Sequence, residues 1–153
     1  MARSIRVNLS AARSTMSLPY WQADTSRYPL ITVYLVGAEE GQQPDVESLP
    51  RIAEGLIAKG EKVVVVYDLT GSNPDARRRQ FLVTWLRKNR QELSRCVVAS
   101  AIVAPTAFHR GILVATFWFI KPLRPVEIFG DRTAATNWAI VQGHRAGLSG
   151  LAK

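Results

Sequence analysis

A run of four valines and a tyrosine, Val63 to Tyr67, most constrains what this chain can fold into. A continuous apolar run without polar alternation is typical of a strand that is covered on both faces, as in parallel sheets. Parallel strands need long crossover connections, which are usually helices. The run therefore predicts an α/β fold in which helices flank a central sheet.

Strands and helices alternate along the rest of the chain. Besides residues 61–70, apolar, β-branched runs predict strands over Leu30–Val36, Cys96–Ala104 and Pro125–Phe129, and Leu18–Ala23 is a candidate hairpin partner of the first. Apolar spacing and capping residues predict helices over Gln42–Gly60, from Asn73 to about Leu93, from Thr106 to Ile120, and from Asp131 to about Gln142. We therefore expect one mostly parallel sheet of four to five strands flanked by about four helices.

The chain divides into a body and two ends. We predict a basic arm over residues 1–27, which is either partly flexible or adds an edge strand, and one α/β domain over residues 28–142. A glycine-containing tail over residues 143–153 is expected to be flexible. A chain of 153 residues is long enough for one hydrophobic core.

Cysteine usage and apolar run length indicate the compartment. Cys96 is the only cysteine, so an intrachain disulfide is excluded, which fits a reducing environment. No apolar run approaches the roughly 20 residues that a membrane-spanning helix needs. We therefore predict a cytoplasmic protein without a transmembrane segment.

Positive charge is concentrated in one stretch of the chain. The net charge is +8, and residues 76–126 hold ten bases against one acid, Glu92, whereas residues 24–75 hold nine acids against four bases. Such an imbalance favours an anionic partner, namely an acidic protein, a nucleic acid or a membrane surface. The alternative interpretation is a solvated basic face.

The motifs of the common enzyme and cofactor-binding classes do not occur in the sequence. It has no Gly-rich dinucleotide loop, no phosphate loop, no Gly-x-Ser-x-Gly elbow and no paired-cysteine metal motif. His109 and His144 are 35 positions apart, without ligand spacing. Cys96 opens an apolar strand, where burial raises the pKa of a thiol and makes it a poor nucleophile. We predict no enzyme activity, no cofactor and no metal.

Polar and charged residues collect at one edge of the predicted sheet, where parallel strands end and the following helices begin. The candidate anion- or partner-binding residues there are Asp68, Thr70, Ser72, Asn73, Asp75, Arg77, Arg78 and Arg110. Arg132 begins a helix at the same edge. Because the helix dipole disfavours cations at helix starts, an anion among these arginines would explain the cluster. Internal pairing with Asp68, Asp75 and Asp131 is the other interpretation.

The order of several short segments resembles that of a known family. These segments are Tyr67-Asp68-Leu69, Trp85 to Asn89, Ala101-Ile102-Val103, Arg110-Gly111, Val126 to Phe129 and Ala134 to Trp138. Over residues 28–140 the chain is similar to bacterial STAS-like proteins, of the sulfate transporter and anti-sigma factor antagonist type. These are often grouped by fold with Sec14-like lipid-binding domains. The resemblance implies a β-α superhelix that binds a partner protein without catalysis.

The resemblance also bears on phosphorylation. In antagonists of that family an acid ends the central strand and a serine at the next helix start is phosphorylated. Asp68 matches the strand-end acid and Asp75 roughly the second acid, but Ala76 stands at the phosphoacceptor position and Arg77-Arg78 replace the following Ser-Gly. The usual switch is therefore missing. Ser72 is the best remaining acceptor and Thr70 another, although both are turn or capping residue types.

Three functions follow as hypotheses. The first is a regulatory protein-interaction module of bacterial signalling, with a partner of acidic surface and with a homo-oligomer left open. The second is a carrier or sensor of a small anionic or lipid ligand, which requires a closed apolar cavity under the helix over Gly111–Ile120. The third, a nucleic-acid binder, is ranked last, because the aromatic residues that would stack on bases are predicted in the core. These residues are Phe81, Trp85, Phe117 and Trp118.

Overall fold

The computed structural model describes residues 21–35, 48–70 and 76–151, which form an α/β unit with a single five-stranded sheet. The elements are β1 (Trp21–Arg27), β2 (Leu30–Leu35), α1 (Ser48–Lys59), β3 (Val63–Asp68), α2 (Ala76–Cys96), β4 (Val97–Val103), α3 (Ala107–Ile120), β5 (Val126–Phe129) and α4 (Arg132–Arg145). This confirms the predicted fold class and every strand of the expected sheet.

The strands lie side by side in the order in which they occur in the chain, β1-β2-β3-β4-β5. β1 pairs with β2 in the antiparallel direction, and the other three pairs are parallel. The predicted hairpin therefore exists: its first strand is described over Trp21–Arg27, which includes residues 21–23 of the predicted segment, and residues 18–20 lie outside the described part of the chain. β3 is the central strand, as expected from its uninterrupted valines.

The valines of β3 face both sides of the sheet and are fully buried. Val64 and Val66 pack in a cluster with Ala135 and Ala139 of α4. Val63 and Val65 pack on the other face, in a cluster with Leu49 of α1. α2 contacts α1, and α3 contacts α2, so the three crossover helices follow one another across that second face. An apolar run without alternation is thus what a strand between two helical layers requires.

Three predicted helix ends are confirmed in detail. The Thr106 side chain accepts a hydrogen bond from the backbone N–H of His109 at the start of α3, and Asp131 accepts one from Ala134 at the start of α4. Gly60 ends α1 with a φ of 69°, a left-handed conformation that glycine adopts without strain. Asn73, the predicted cap of α2, lies outside the described residues.

Other boundaries differ from the prediction. α2 continues to Cys96, so this cysteine ends a helix instead of opening β4, although it is buried as expected. Pro50 lies in the first turn of α1, where its missing N–H would have no helical partner, so it does not interrupt the helix. α4 continues to Arg145, past the predicted end at about Gln142.

The chain after α4 folds back onto the sheet as far as Leu151. Gly147 and Gly150 have φ values of 81° and 83°, and the turn they make carries the Leu151 side chain into the cluster with Leu30 and Val64. Residues 143–151, expected to be loose, thus include a buried apolar side chain.

The prediction that Trp118 of α3 lies in the core is wrong. Phe108 is 69% exposed and Trp118 is 79% exposed, and among the helix residues whose side chains are described Ile120 alone is buried. The helix is apolar on all sides, so its sequence does not determine which side is covered, and its neighbours cover one side only. Trp85 of α2 is half-buried, which meets its predicted core position only in part.

Candidate functional site

Asp68 is the centre of the polar edge at the carboxyl ends of the parallel strands. It is the last residue of β3 and only 5% exposed. Its Oδ1 accepts a hydrogen bond from the backbone N–H of Thr70 (2.9 Å), and its Oδ2 accepts one from Nε of Arg132 (2.7 Å). Both carboxylate oxygens are therefore engaged, which a buried charge requires.

Opposing effects act on the pKa of Asp68. Burial raises it, whereas hydrogen bonds from Thr70 and the guanidinium of Arg132 lower it, and the net direction is downward. The carboxyl group is therefore ionised at neutral pH and has both oxygens occupied. Such a group holds a cation in place and is unsuited to act as a general base.

Arg132 is the cation that Asp68 holds. It is the first residue of α4, and its Nη2 lies 2.5 Å from Oδ2 of Asp68. Its side chain is nevertheless 58% exposed, so the guanidinium is fixed on one side and open to solvent on the other. The two residues are 64 positions apart, and the only sequence signal for Arg132 is its place directly after the Asp131 cap.

Arg110 reaches toward the same edge from α3. Its Nη1 atom lies 3.8 Å from the point that a Cβ on Gly130 would occupy, which places the guanidinium beside the β5–α4 connection. Nearby, Nδ1 of His109 lies 2.5 Å from the hydroxyl oxygen of Thr106. The start of α3 therefore brings a second exposed arginine to the edge where Arg132 is held.

The structure describes only part of the predicted site. Asp68, Thr70 and Arg110 lie at this edge, and Arg77 and Arg78 are in the first turn of α2, whose start follows β3. Ser72, Asn73 and Asp75 lie outside the described residues. The pairing of Asp68 with Arg132 is the internal interaction weighed as the alternative to an anion site, and it involves one of the arginines.

A groove at the opposite end of the sheet was not foreseen. It is open, has a volume of about 350 Å3, and is lined by Tyr28, Pro29, Glu61, Lys62 and residues 147–150. The Tyr28 hydroxyl donates a hydrogen bond to Glu61, and Nζ of Lys59 lies 4.2 Å from the centre of the Tyr28 ring. Burial and the neighbouring Glu61 raise the pKa of Tyr28 to about 12, so the phenol remains a neutral donor.

Within residues 21–35, 48–70 and 76–151, no group of three His, Cys, Asp or Glu side chains is placed to hold a metal ion. In the same part of the chain, no helix is both long and apolar enough to cross a membrane.

Comparison with known proteins identifies no relative of this chain. No family model, no curated protein and no solved structure matches the chain. The resemblance to STAS-like proteins therefore stays a prediction from the sequence, and function must be argued from the residues themselves.

Proposed function

We propose that this chain is a non-catalytic regulatory module of bacterial signalling that binds an acidic surface of another protein. The binding surface would be the edge where β3, β4 and β5 end. What supports this proposal most is the Asp68–Arg132 pair, in which a buried carboxylate fixes an arginine that remains more than half exposed. A guanidinium held in one orientation loses little freedom when it binds a carboxylate with two parallel hydrogen bonds.

Arg110 supports the same proposal. Because its guanidinium lies beside the β5–α4 connection, it and Arg132 would present two cations to one partner. The engaged oxygens of Asp68 also favour binding over catalysis. The proposal includes the STAS-like character and the absence of the usual phosphorylation switch, since Ala76 begins α2 where a serine would be needed.

The carrier hypothesis is less well supported. It requires apolar side chains of α3 to enclose a cavity, yet Phe108, Val114 and Trp118 are turned to solvent. Exposed side chains favour binding at a surface over enclosure of a small ligand.

The test is affinity capture from the native cell with the full chain, followed by measurement of the affinity of each captured protein. We expect Arg110→Gln and Arg132→Gln to weaken binding of the true partner at least several-fold, and added salt to do the same. Arg145→Gln is the matched control for Arg132→Gln, because it removes the same charge from the opposite end of the same helix, α4. Equal affinity of all three variants would refute binding at this edge.

A further inference from the structure

α3 presents an apolar face to solvent along its whole length. The exposed residues between its first position and Trp118 recur at spacings of three and four, apart from the basic Arg110, and therefore lie along one side of the helix. They are Ala107, Phe108, Gly111, Val114, Ala115 and Trp118. Leu123, which follows the helix, is also exposed. We call these seven residues the α3 face. A contiguous apolar patch of this kind marks a surface that binds something.

Basic side chains flank the α3 face at both ends, and the neighbouring helix is basic as well. Arg110 near the start of α3 and Lys121 at its end are exposed. The neighbouring helix α2 adds exposed Arg87, Lys88 and Arg95. Residues 76–126, which include α2 and α3, hold ten bases against one acid, Glu92, so this part of the chain carries a strong net positive charge.

We infer that the α3 face docks on an anionic lipid surface. Phe108, Val114 and Trp118 would insert at the boundary between headgroups and acyl chains, while the bordering arginines and lysines contact anionic headgroups. An interfacial helix combines such large apolar side chains with a basic surround. At 14 residues, about 21 Å, α3 is long enough to lie on a membrane and too short to cross it. Membrane docking goes beyond the partner binding proposed above and does not depend on it.

Charge argues against two occupants from the chain itself. Residues 1–20 contain three arginines and no acid, so that segment would bring further positive charge to a positive border. A second copy paired through the same face would oppose its own arginines and lysines in a two-fold interface. An anionic surface, in contrast, complements the charge of the border.

The chemistry of the α3 face argues against a folded protein and against a nucleic acid. Protein interfaces make about one hydrogen bond per 100–200 Å2, but the α3 face offers almost no side-chain donor or acceptor between its ends. Bases stack on aromatic rings that follow the strand closely. Phe108 and Trp118 are ten positions apart, about 15 Å along the helix, and the α3 face between them consists of glycine, valine and alanine. Acyl chains need neither hydrogen bonds nor stacking.

The test is sedimentation of the full chain with phosphatidylcholine vesicles, with and without phosphatidylglycerol. Two substitutions form a matched pair, because Val114 on α3 and Val141 on α4, across the sheet, are 47% and 46% exposed. Val114→Asp and Val141→Asp change the net charge equally, so a difference between them shows which face meets the vesicle and is not due to the net charge of the protein. We expect Val114→Asp to lower the partition coefficient on anionic vesicles about tenfold, while Val141→Asp leaves it nearly unchanged.

Tryptophan fluorescence gives a second readout. Anionic vesicles should shift the emission to the blue in the wild type and not in Trp118→Phe, while phosphatidylcholine alone should shift neither. Absence of binding to anionic vesicles, or equal binding by both aspartate variants, would overturn the inference. The inference would also be overturned if sedimentation velocity showed a dimer that Val114→Asp dissociates and Val141→Asp does not, because the α3 face would then bind a second copy. Binding of labelled oligo-dT that depends on Val114, without vesicle binding, would assign the face to nucleic acid instead.

Discussion

At the scale of single residues, Asp68 shows how one buried charge organises an edge of the sheet. It takes one hydrogen bond from the loop after its own strand and one from a helix 64 residues later. Removing one partner of such a buried pair leaves the other uncompensated, which costs more than the pair contributes net. Asp68 therefore couples the end of β3 to the start of α4.

We predict that Asp68→Asn lowers the free energy of unfolding by about 1–3 kcal/mol at neutral pH, because the amide cannot compensate Arg132. The folded-state pKa of Asp68 lies below its unfolded value, so its contribution is present above about pH 4 and is lost as the pH falls through the folded pKa. Urea unfolding at pH 7 and pH 3 measures this. The variant should show a smaller difference between the two pH values than the wild type, and an unchanged difference would contradict the prediction.

Ser48 is a second residue that joins distant parts of the chain. Its buried hydroxyl oxygen accepts a hydrogen bond from the backbone N–H of Trp21 (3.0 Å), which ties the start of α1 to the edge strand β1. Ser48→Ala should cost about 1–3 kcal/mol, since it leaves a buried N–H without its acceptor. Ser48→Thr keeps the hydroxyl and serves as the control in the same denaturation experiment. Equal stability of the alanine variant and the wild type would show that solvent replaces the hydroxyl.

At the scale of elements, α3 differs from the other helices in how it is held. Arg90 of α2 donates hydrogen bonds to the carbonyl oxygens of Ile120 (3.4 Å) and Lys121 (3.2 Å), which anchor the end of the helix. Ile120 is buried next to this anchor, whereas Trp118, two residues earlier, is exposed. The end of the helix is thus anchored to α2, whereas the largely exposed side chains of Phe108 and Trp118 contribute little to the fold.

We therefore predict opposite outcomes for two neighbouring truncations on α3. Ile120→Ala should destabilise the protein by about 2–4 kcal/mol, as expected for a buried aliphatic side chain. Trp118→Ala should change stability by no more than about 0.5 kcal/mol, because a large residue at an exposed position contributes little. Thermal or urea unfolding of both variants distinguishes them. A large loss with Trp118→Ala would mean that α3 is covered in solution, by a second copy for example.

At the scale of the whole molecule, the segment after α4 returns to the middle of the sheet. A Cβ added at Gly143 would collide with Cδ1 of Leu151 and lie 3.4 Å from Cγ1 of Val64. A residue larger than glycine therefore does not fit at position 143 unless the Leu151 side chain moves. This contact connects the last described residue with the central strand.

This contact predicts a non-additive pair of substitutions. Gly143→Ala should cost about 1–3 kcal/mol through overpacking, and Leu151→Ala about 2–4 kcal/mol through lost burial. In the double variant the shorter side chain makes room for the new methyl group, so the total loss should be smaller than the sum by about 0.5 kcal/mol or more. Equilibrium unfolding of the four proteins measures this coupling. If the stability losses of the two single variants simply add in the double variant, Leu151 does not contact Gly143 in solution.

The features that can be predicted from the sequence depend on neighbouring residues, whereas those that cannot depend on contacts between residues far apart in the chain. The valines of β3 and the caps Thr106 and Asp131 are local signals, so strands and helix starts are recovered closely. The exposure of Trp118 depends on which neighbours reach α3, and a helix with apolar residues on all sides has no periodicity that reveals this. The pairing of Arg132 with Asp68 depends on a contact across four elements, which no local pattern encodes.

The linear strand order has a consequence for how the protein is made. Each parallel strand joins the one before it, so during synthesis every new β-α unit finds its template already formed. Among the described residues, the face of β3 and β4 that carries Val64, Val66 and Ala101 is covered by α4 and by the segment after it that ends at Leu151, and both follow all five strands. A nascent chain that has completed its sheet therefore still displays a bare apolar surface, and the interval before α4 emerges is when it is most exposed to aggregation or to capture by a chaperone.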